Sequence, residues 1–195
     1  MKIVGIYLAA GKSTRMGRNK LELPFKNSYL GAAAFQSALE SKLEIIFAIT
    51  RNGDPLHFLA PFTKRNGWSY FRCENSSLSA SLTKGVSKAI EWGADAVVVL
   101  LADQPNVTTT CINRLVEEYL SFPESLFVSA SHRGTLKPPV LFAKALFPAL
   151  LSVKGDVGAR SLLRGKWNEF GKNVEFEDNI FLDIDTLADY KLLEG

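Results

Sequence analysis

Two cysteines, two histidines and two methionines in 195 residues leave little material for redox or zinc chemistry. Cys73 and Cys111 are far apart, and neither sits in a CxxC or a Cys/His cluster. That spacing excludes the common zinc sites and gives no disulfide framework, so both read as buried thiols. His57 and His132 are isolated and read as packing or surface residues. The apolar segment Ile3 to Ala10 is far shorter than the ~20 residues a membrane-spanning helix needs. It runs straight into Gly11-Lys12-Ser13 and not into a cleavage region, so a cytoplasmic protein with no membrane partner is expected. Lys and Arg number 23 against 20 Asp and Glu, a formal net charge of +3, and no run of five or six cations occurs. No nucleic-acid footprint is therefore present. Repeats, low-complexity tracts and dividing linkers are also lacking, so residues 1–195 read as one domain.

What is present is ordinary globular composition, 47% hydrophobic and 22% charged, enough for a core without staples. Ile3 to Ala9 is continuously apolar, as a strand buried on both faces should be. Similar runs at Ile45 to Thr50 and Ala96 to Leu101 predict two more, with Trp68 to Arg72 a further candidate. Helices are predicted over Leu30 to Leu39, Leu56 to Lys64, Leu78 to Trp92 and Thr109 to Tyr119. Beyond these, short strands are expected at Leu126 to Ala130, Val140 to Phe142, Val174 to Phe176 and Ile180 to Leu182. Helices are expected at Ala145 to Leu151, Ala159 to Leu163 and Leu187 to Leu193.

Strands alternating with helices imply right-handed βαβ units, hence a single-domain, doubly wound, Rossmann-like α/β three-layer sandwich. The later, shorter strands predict a mostly parallel but mixed sheet. Ligands in such folds bind beyond the carboxyl ends of the strands. That rule selects the loops Gly11 to Lys20, Asn75 to Ser81 and Asp103 to Asn106.

Gly11 to Lys20 combines glycines, hydroxyls and cations. Backbone amides in such a turn cradle phosphate oxygens, and the cations offset charge during phosphoryl or nucleotidyl transfer. It is neither a Walker loop, since position 6 is Ile where that motif needs Gly, nor the GxGxxG dinucleotide pattern. Past the strand Ala96 to Leu101, Asp103 stands in Leu100-Leu-Ala-Asp-Gln-Pro105. A carboxylate there either caps the next turn or holds a divalent cation against phosphates. Near the C-terminus, Asp183 and Asp185 stand two residues apart on a segment expected to be extended, and only one of them is expected to face a metal.

Leu8-Ala-Ala-Gly-Lys-Ser-Thr-Arg-Met-Gly-Arg-Asn-Lys-Leu-Glu-Leu-Pro24 resembles LAAGxSxRMGxxKxLLP, the signature of the MobA-like nucleotidyltransferases, in their molybdenum cofactor cytidylyltransferase branch. The resemblance implies the nucleotide-diphospho-sugar transferase type of fold and transfer of CMP from CTP to molybdopterin carrying molybdenum. A molybdenum hydroxylase such as xanthine dehydrogenase would receive the product. Carried over, Leu8, Ala9, Ala10, Gly11, Lys12 and Ser13 bind the nucleotide, and Arg15 and Lys20 act on the α-phosphate and the departing pyrophosphate. Asp-Gln-Pro resembles the family's Mg2+ motif with Asp103 as ligand. Leu182-Asp-Ile-Asp-Thr-Leu-Ala-Asp-Tyr190 resembles DIDTPEDY and selects Asp185 as the second, leaving Asp183 and Asp189 structural. Asn75 to Gly85 resembles GLSSSLxxG, which implies base contacts from Ser79 and Ser81, with Ser77 where glycine is usual.

Gly155-Asp-Val-Gly-Ala-Arg160 matches the family's GDxGAR, and Arg133 to Phe142 resembles its RGHPVLF. These imply acceptor contacts from Lys137, Asp156 and Arg160. The family's histidine is Pro138 here. That departure motivates a different acceptor, a sugar or alditol phosphate, with the same chemistry. A third possibility is a non-catalytic carrier that delivers cofactor to the hydroxylase.

Overall fold

The computed structural model describes residues 1–75, 77–155, 159, 162–163 and 167–193, with the backbone alone at Arg15. A seven-stranded sheet forms its middle layer, in the order β5 (Trp68–Cys73), β4 (Ile45–Arg51), β1 (Ile3–Ala9), β6 (Ala96–Leu101), β8 (Thr135–Ala143), β7 (Phe127–His132) and β9 (Gly171–Glu175). Strands β1, β4, β5 and β6 are mutually parallel. Strand β8 runs antiparallel to β6 and to β7, and β9 lies parallel to β7. The mixed sheet is thus as expected. Strands β2 (Pro24–Phe25) and β3 (Ser28–Tyr29) form a separate small ladder.

Every residue of β1 is buried because helices cover both faces. Alternate side chains Ile3, Tyr7 and Ala9 join one core with Phe35 of α1 (Leu30–Leu39) and Ile112 and Leu115 of α3 (Thr109–Ser121). Val4, Ile6 and Leu8 point the other way, against Leu82, Val86 and Ala89 of α2 (Leu78–Trp92) and Phe147 and Leu150 of α4 (Phe147–Leu151). The period-two alternation of a strand therefore feeds two cores from one apolar run. Helix α2 comes so close to β1 that a Cβ on Gly85 would sit 2.4 Å from Ile6 Cγ2. Its first turn is fixed by Ser77, whose hydroxyl accepts from the Ala80 amide at 3.2 Å.

Four expectations need correction. Leu56 to Lys64 is not an α-helix but a 3-10 segment, His57–Phe62, because Pro61 removes a donor and Leu56 adopts a positive φ. Ile180 to Leu182 is not a strand; Asp178–Phe181 forms a 3-10 turn that tucks Phe181 against Phe176. The segment Ala145 to Leu151 divides into a 3-10 turn, Lys144–Leu146, and α4. The strands near Ala130 and Val140 are longer than expected. They form a hairpin whose turn, Arg133-Gly134, has φ of 49° and 73°, the paired positive values of a tight hairpin. Ala159 to Leu163 lies only partly within the described residues.

After the 3-10 turn the chain returns to the parallel end of the sheet. Ile184 is fully buried with Met16, Leu23 and Leu30. Burying one such side chain contributes about 2 kcal/mol, which fastens the C-terminal segment onto the loop that follows β1. Helix α5 (Leu187–Lys191) then closes with a capping box: the Thr186 hydroxyl accepts from the Asp189 amide, and the Asp189 carboxylate accepts from the Thr186 amide.

Candidate active site

At the carboxyl edge of β1 and β6 lies a cleft of about 360 Å³. Leu8, Ala9, Ala10, Gly11, Lys12 and Ser13 line one wall, and Lys20, Asp103 and Asp185 close it. Leu78 and Ser81 enter from the first turn of α2. The parallel strands bring these loops together, since β1 and β6 pair as far as Leu8 and Leu101, just before the two loops begin.

The loop is shaped by its own polar groups. Ser13 sits in the left-handed region at φ 50°, and Gly17 follows at φ 66°. The Ser13 hydroxyl accepts from the Lys20 amide at 3.2 Å, and its carbonyl accepts from the Met16 amide at 3.0 Å. The Asn19 side chain accepts from the Leu21 amide at 3.1 Å and starts a single 3-10 turn, Lys20–Glu22. These contacts fold the chain back so that the Lys20 side chain enters the cleft.

There the Lys20 ammonium donates to Asp103 Oδ2 at 2.7 Å and to Asp185 Oδ1 at 2.8 Å. Burial works to lower the lysine pKa, but the Asp103 charge and the hydrogen bonds the ammonium donates to both carboxylates outweigh it and hold it above the usual value. The amine is therefore a fixed cation. Beneath it, Tyr7 is fully buried and donates to the Gly31 carbonyl at 2.8 Å. Burial, and then the Asp103 charge, hold its phenol far above the ordinary range.

Asp185 reaches the cleft through backbone and side-chain ties. The Ile184 amide donates to the Asp103 carbonyl at 3.0 Å, which binds the C-terminal segment to the loop after β6. On either side of Ile184 the two aspartates diverge. Asp185 meets Lys20, while Asp183 accepts from the Gln104 side-chain amide at 2.9 Å. Asp189 accepts from the Asp185 and Thr186 amides at 3.1 and 2.7 Å, an anchor below the cleft. Hydrogen bonds from Thr186, through hydroxyl and amide, hold the Asp189 carboxyl below its usual pKa.

Two carboxylates beside an amide-lined cleft suit a hard divalent cation that takes its remaining ligands from phosphates and water, as Mg2+ commonly does. Among the described residues no group of three or more His, Cys, Asp or Glu gathers to form an all-protein cage. The donor set thus fits an ion that arrives with a nucleotide and not a closed structural metal.

The other expected site residues are dispersed. Ser79 faces a neighbouring open groove of about 780 Å³ with Ser77, Arg72 and Lys84, and not the cleft. Lys137, on β8, pairs with Asp178 at 3.1 Å and lies over the Phe181 ring, outside the cleft lining. Asp156, Arg160 and the Arg15 side chain lie outside the described residues. The sequence pattern alone does not single out Gln104 or Leu78. Gln104 stands within the Asp-Gln-Pro motif itself, and Leu78 is the first residue of α2, so both carried a positional signal.

Comparison with known proteins bears on the family and the fold. Purine catabolism protein PucB of Bacillus subtilis is 39% identical over 202 residues, covering 98% of this chain and 95% of that protein. The molybdenum cofactor guanylyltransferase of Rhodobacter capsulatus is 34% identical over 118 residues, 59% of this chain and 58% of that protein. Among solved structures, Rv0371c of Mycobacterium tuberculosis H37Rv, in complex with manganese, matches with a TM-score of 0.81 at 21% identity, covering 99% of this chain and 98% of that one. That last likeness speaks to the fold alone. The family model for the MobA-like NTP transferase domain matches residues 5–172, and with the cleft, its lysine and its paired carboxylates in view, the chain belongs to the MobA-like nucleotidyltransferases.

Proposed function

We propose that this nucleotidyltransferase moves CMP from CTP to the terminal phosphate of molybdopterin carrying molybdenum, giving molybdopterin cytosine dinucleotide and pyrophosphate. The observation that carries the reading is the Lys20 ammonium held between Asp103 and Asp185 at the mouth of the glycine-loop cleft. The choice of CTP and of the pterin is supported by the Leu8 to Pro24 loop, which resembles the cytidylyltransferase branch, and by the near full-length match to a purine catabolism protein. A molybdenum hydroxylase such as xanthine dehydrogenase would take up the product.

In this reading backbone amides of Ala10 to Ser13 hold the triphosphate, and Leu8, Ala9 and Ser81 bound the nucleoside. Asp103 and Asp185 hold Mg2+, which when bound neutralises phosphate charge. Manganese in the Rv0371c structure is in keeping with a divalent ion in this fold. An oxygen of the acceptor phosphate attacks the α-phosphorus in line. The new P–O bond forms as the bond to the bridging oxygen of the β-phosphate breaks, and pyrophosphate leaves with that electron pair. The acceptor oxygen is already ionised near neutrality, so no general base is required. Lys20 and Arg15 offset the charge gathered on the α-phosphate and the leaving group. Lys137, Asp156 and Arg160 are assigned to the acceptor. Positioning and charge account for the catalysis, with no covalent enzyme intermediate.

The test is pyrophosphate release by the purified protein with Mg2+, given CTP, GTP or ATP, with and without molybdenum-loaded molybdopterin. Release that needs both CTP and the pterin is expected. Release with a sugar or alditol phosphate in place of the pterin would move the acceptor assignment. Silence with every triphosphate, while a working cytidylyltransferase reacts in parallel tubes, would leave a carrier role. Retention of biological activity by Asp103→Ala and Asp185→Ala would point the same way.

A further inference from the structure

Asp183 and Asp185 are chemically identical and two residues apart, positions that share a face on extended chain, yet Asp185 meets Lys20 while Asp183 meets Gln104. A slip of two residues along Leu182-Asp183-Ile184-Asp185 would put Asp183 in the place of Asp185 and Leu182 in the place of Ile184, apolar for apolar. Something must decide which carboxylate faces Lys20 and Asp103. Ile184 contributes, through its buried side chain and its bond to the Asp103 carbonyl, but neither contact distinguishes one aspartate from the other.

Gln104 makes that distinction. It is 1% exposed, and its side-chain amide donates to Asp183 Oδ1 at 2.9 Å. The same turn carries Asp103 one residue earlier, and Asn106 two residues later donates to the Asn179 carbonyl at 2.9 Å. Gln104 Oε1 is buried and has no hydrogen-bond partner among the described residues. A methionine would fill the same volume and leave no such oxygen. The amide cannot turn round to relieve it, because its carbonyl end would then face the Asp183 carboxylate. A buried amide with half its capacity unmet points to a use for the other half, and that half serves Asp183.

We propose that Gln104 is a positioning residue that captures Asp183 and thereby presents Asp185 to the divalent cation beside Asp103. The inference rests on the reading of Asp103 and Asp185 as the cation-holding pair.

The test measures Mn2+ affinity by electron paramagnetic resonance of the free ion. The protein is loaded with a CTP analogue whose α–β bridge is methylene, so that no turnover is involved. Gln104→Met should keep or raise the melting temperature while weakening Mn2+ binding about 10- to 100-fold, the usual loss when a partner behind a metal ligand is removed. Gln104→Glu alone should weaken it at least as much. Gln104→Glu combined with Asp183→Asn restores one donor and one acceptor in exchanged places, and should recover most of the affinity. A purely structural role would tie affinity to melting temperature in every variant, the exchanged pair included. Wild-type Mn2+ binding by Gln104→Met, or a folded exchanged pair that binds no better than Gln104→Glu, overturns the proposal. Should Gln104→Met fail to fold, the exchanged pair decides. Asp103→Ala and Asp185→Ala provide the reference. If they lose Mn2+ while the Gln104 variants keep it, the positioning role alone falls. If they bind as wild type, the cation-holding pair falls and the positioning role with it.

Discussion

Replacing Lys20 with methionine keeps the length of the side chain and removes its charge. Two carboxylates then share one site without a cation. The Lys20 side chain is 10% exposed, Asp103 24% and Asp185 39%, so the pair is only partly shielded from water. Breaking a fully buried pair costs about 3–5 kcal/mol. Water reaching Asp185 recovers part of this, and a loss of roughly 1–2 kcal/mol is expected. For a chain of this length that corresponds to a fall in melting temperature of about 2–8 °C. The sharper expectation concerns metal. In the variant a divalent cation takes over the place of the amine, so Mg2+ should stabilise the variant more than the native protein. At ten times its dissociation constant the ion adds about 1.4 kcal/mol. Calorimetry in EDTA and then in a Mg2+ series reads both quantities. Pyrophosphate release should fall by about 100- to 1,000-fold, the range seen when one charge-stabilising donor is lost. Equal melting temperatures in EDTA, or equal Mg2+ increments for the two proteins, would refute the view that Lys20 occupies a cation-demanding position.

Gly85→Ala places a methyl 2.4 Å from Ile6 Cγ2, so α2 must move away from β1. The gain in helix propensity is about 1 kcal/mol, against about 1–3 kcal/mol for overpacking, so urea unfolding should show a modest net loss. Leu78 and Ser81 move with the helix, and KM for the nucleotide should rise more than kcat falls; an unchanged KM would separate the first turn of α2 from nucleotide binding. Cys111 is 1% exposed, and burial pushes its thiol up to about 12 from the ordinary 9.0. Its folded pKa is raised, so the stability it contributes is complete below pH 9 and is lost as pH climbs toward 12. From pH 8 to pH 10 the native protein should therefore lose about 1.4 kcal/mol more than Cys111→Ala in urea titrations. Parallel losses in the two proteins would mean that the thiol ionises freely in the fold.

The parts of the fold legible in the sequence are those whose burial is two-sided. β1, β6, α1 and α2 have the expected bounds because a strand between two helical layers must be apolar throughout, and a helix against it must be apolar at regular spacing. The hairpin of β7 and β8 extends beyond its apolar pattern because its distal half is polar. Ser131, His132, Thr135 and Lys137 are strand residues held by ladder bonds and by contacts with β9, not by a hydrophobic pattern. Asp178 to Phe181 deceived in the opposite sense. Ile180-Phe181-Leu182 has the composition of a strand, yet it forms a 3-10 turn whose apolar side chains pack on Phe176 and the core without a ladder. Composition cannot report which neighbour an apolar residue will find.

The same limit acts on the site, and it divides the residues by how their partners are specified. Lys20 and Asp103 follow directly from loops at the carboxyl ends of parallel strands, so a rule about topology suffices to bring them together. Lys137 is different. It stands at the corresponding end of an antiparallel strand, but Asp178, 41 residues later, takes its amine at 3.1 Å. The Lys137 hydrogen bond and charge in turn hold the Asp178 carboxyl below its usual pKa. An acceptor phosphate that recruits Lys137 must therefore compete with a carboxylate already in place. Such competition is weak for an exposed pair, because water and salt screen it. Asp178→Asn should then strengthen acceptor binding if Lys137 is used, seen as a lower KM for the phosphorylated acceptor at unchanged KM for CTP. No change in either constant would remove Lys137 from the acceptor site and leave that role to other residues.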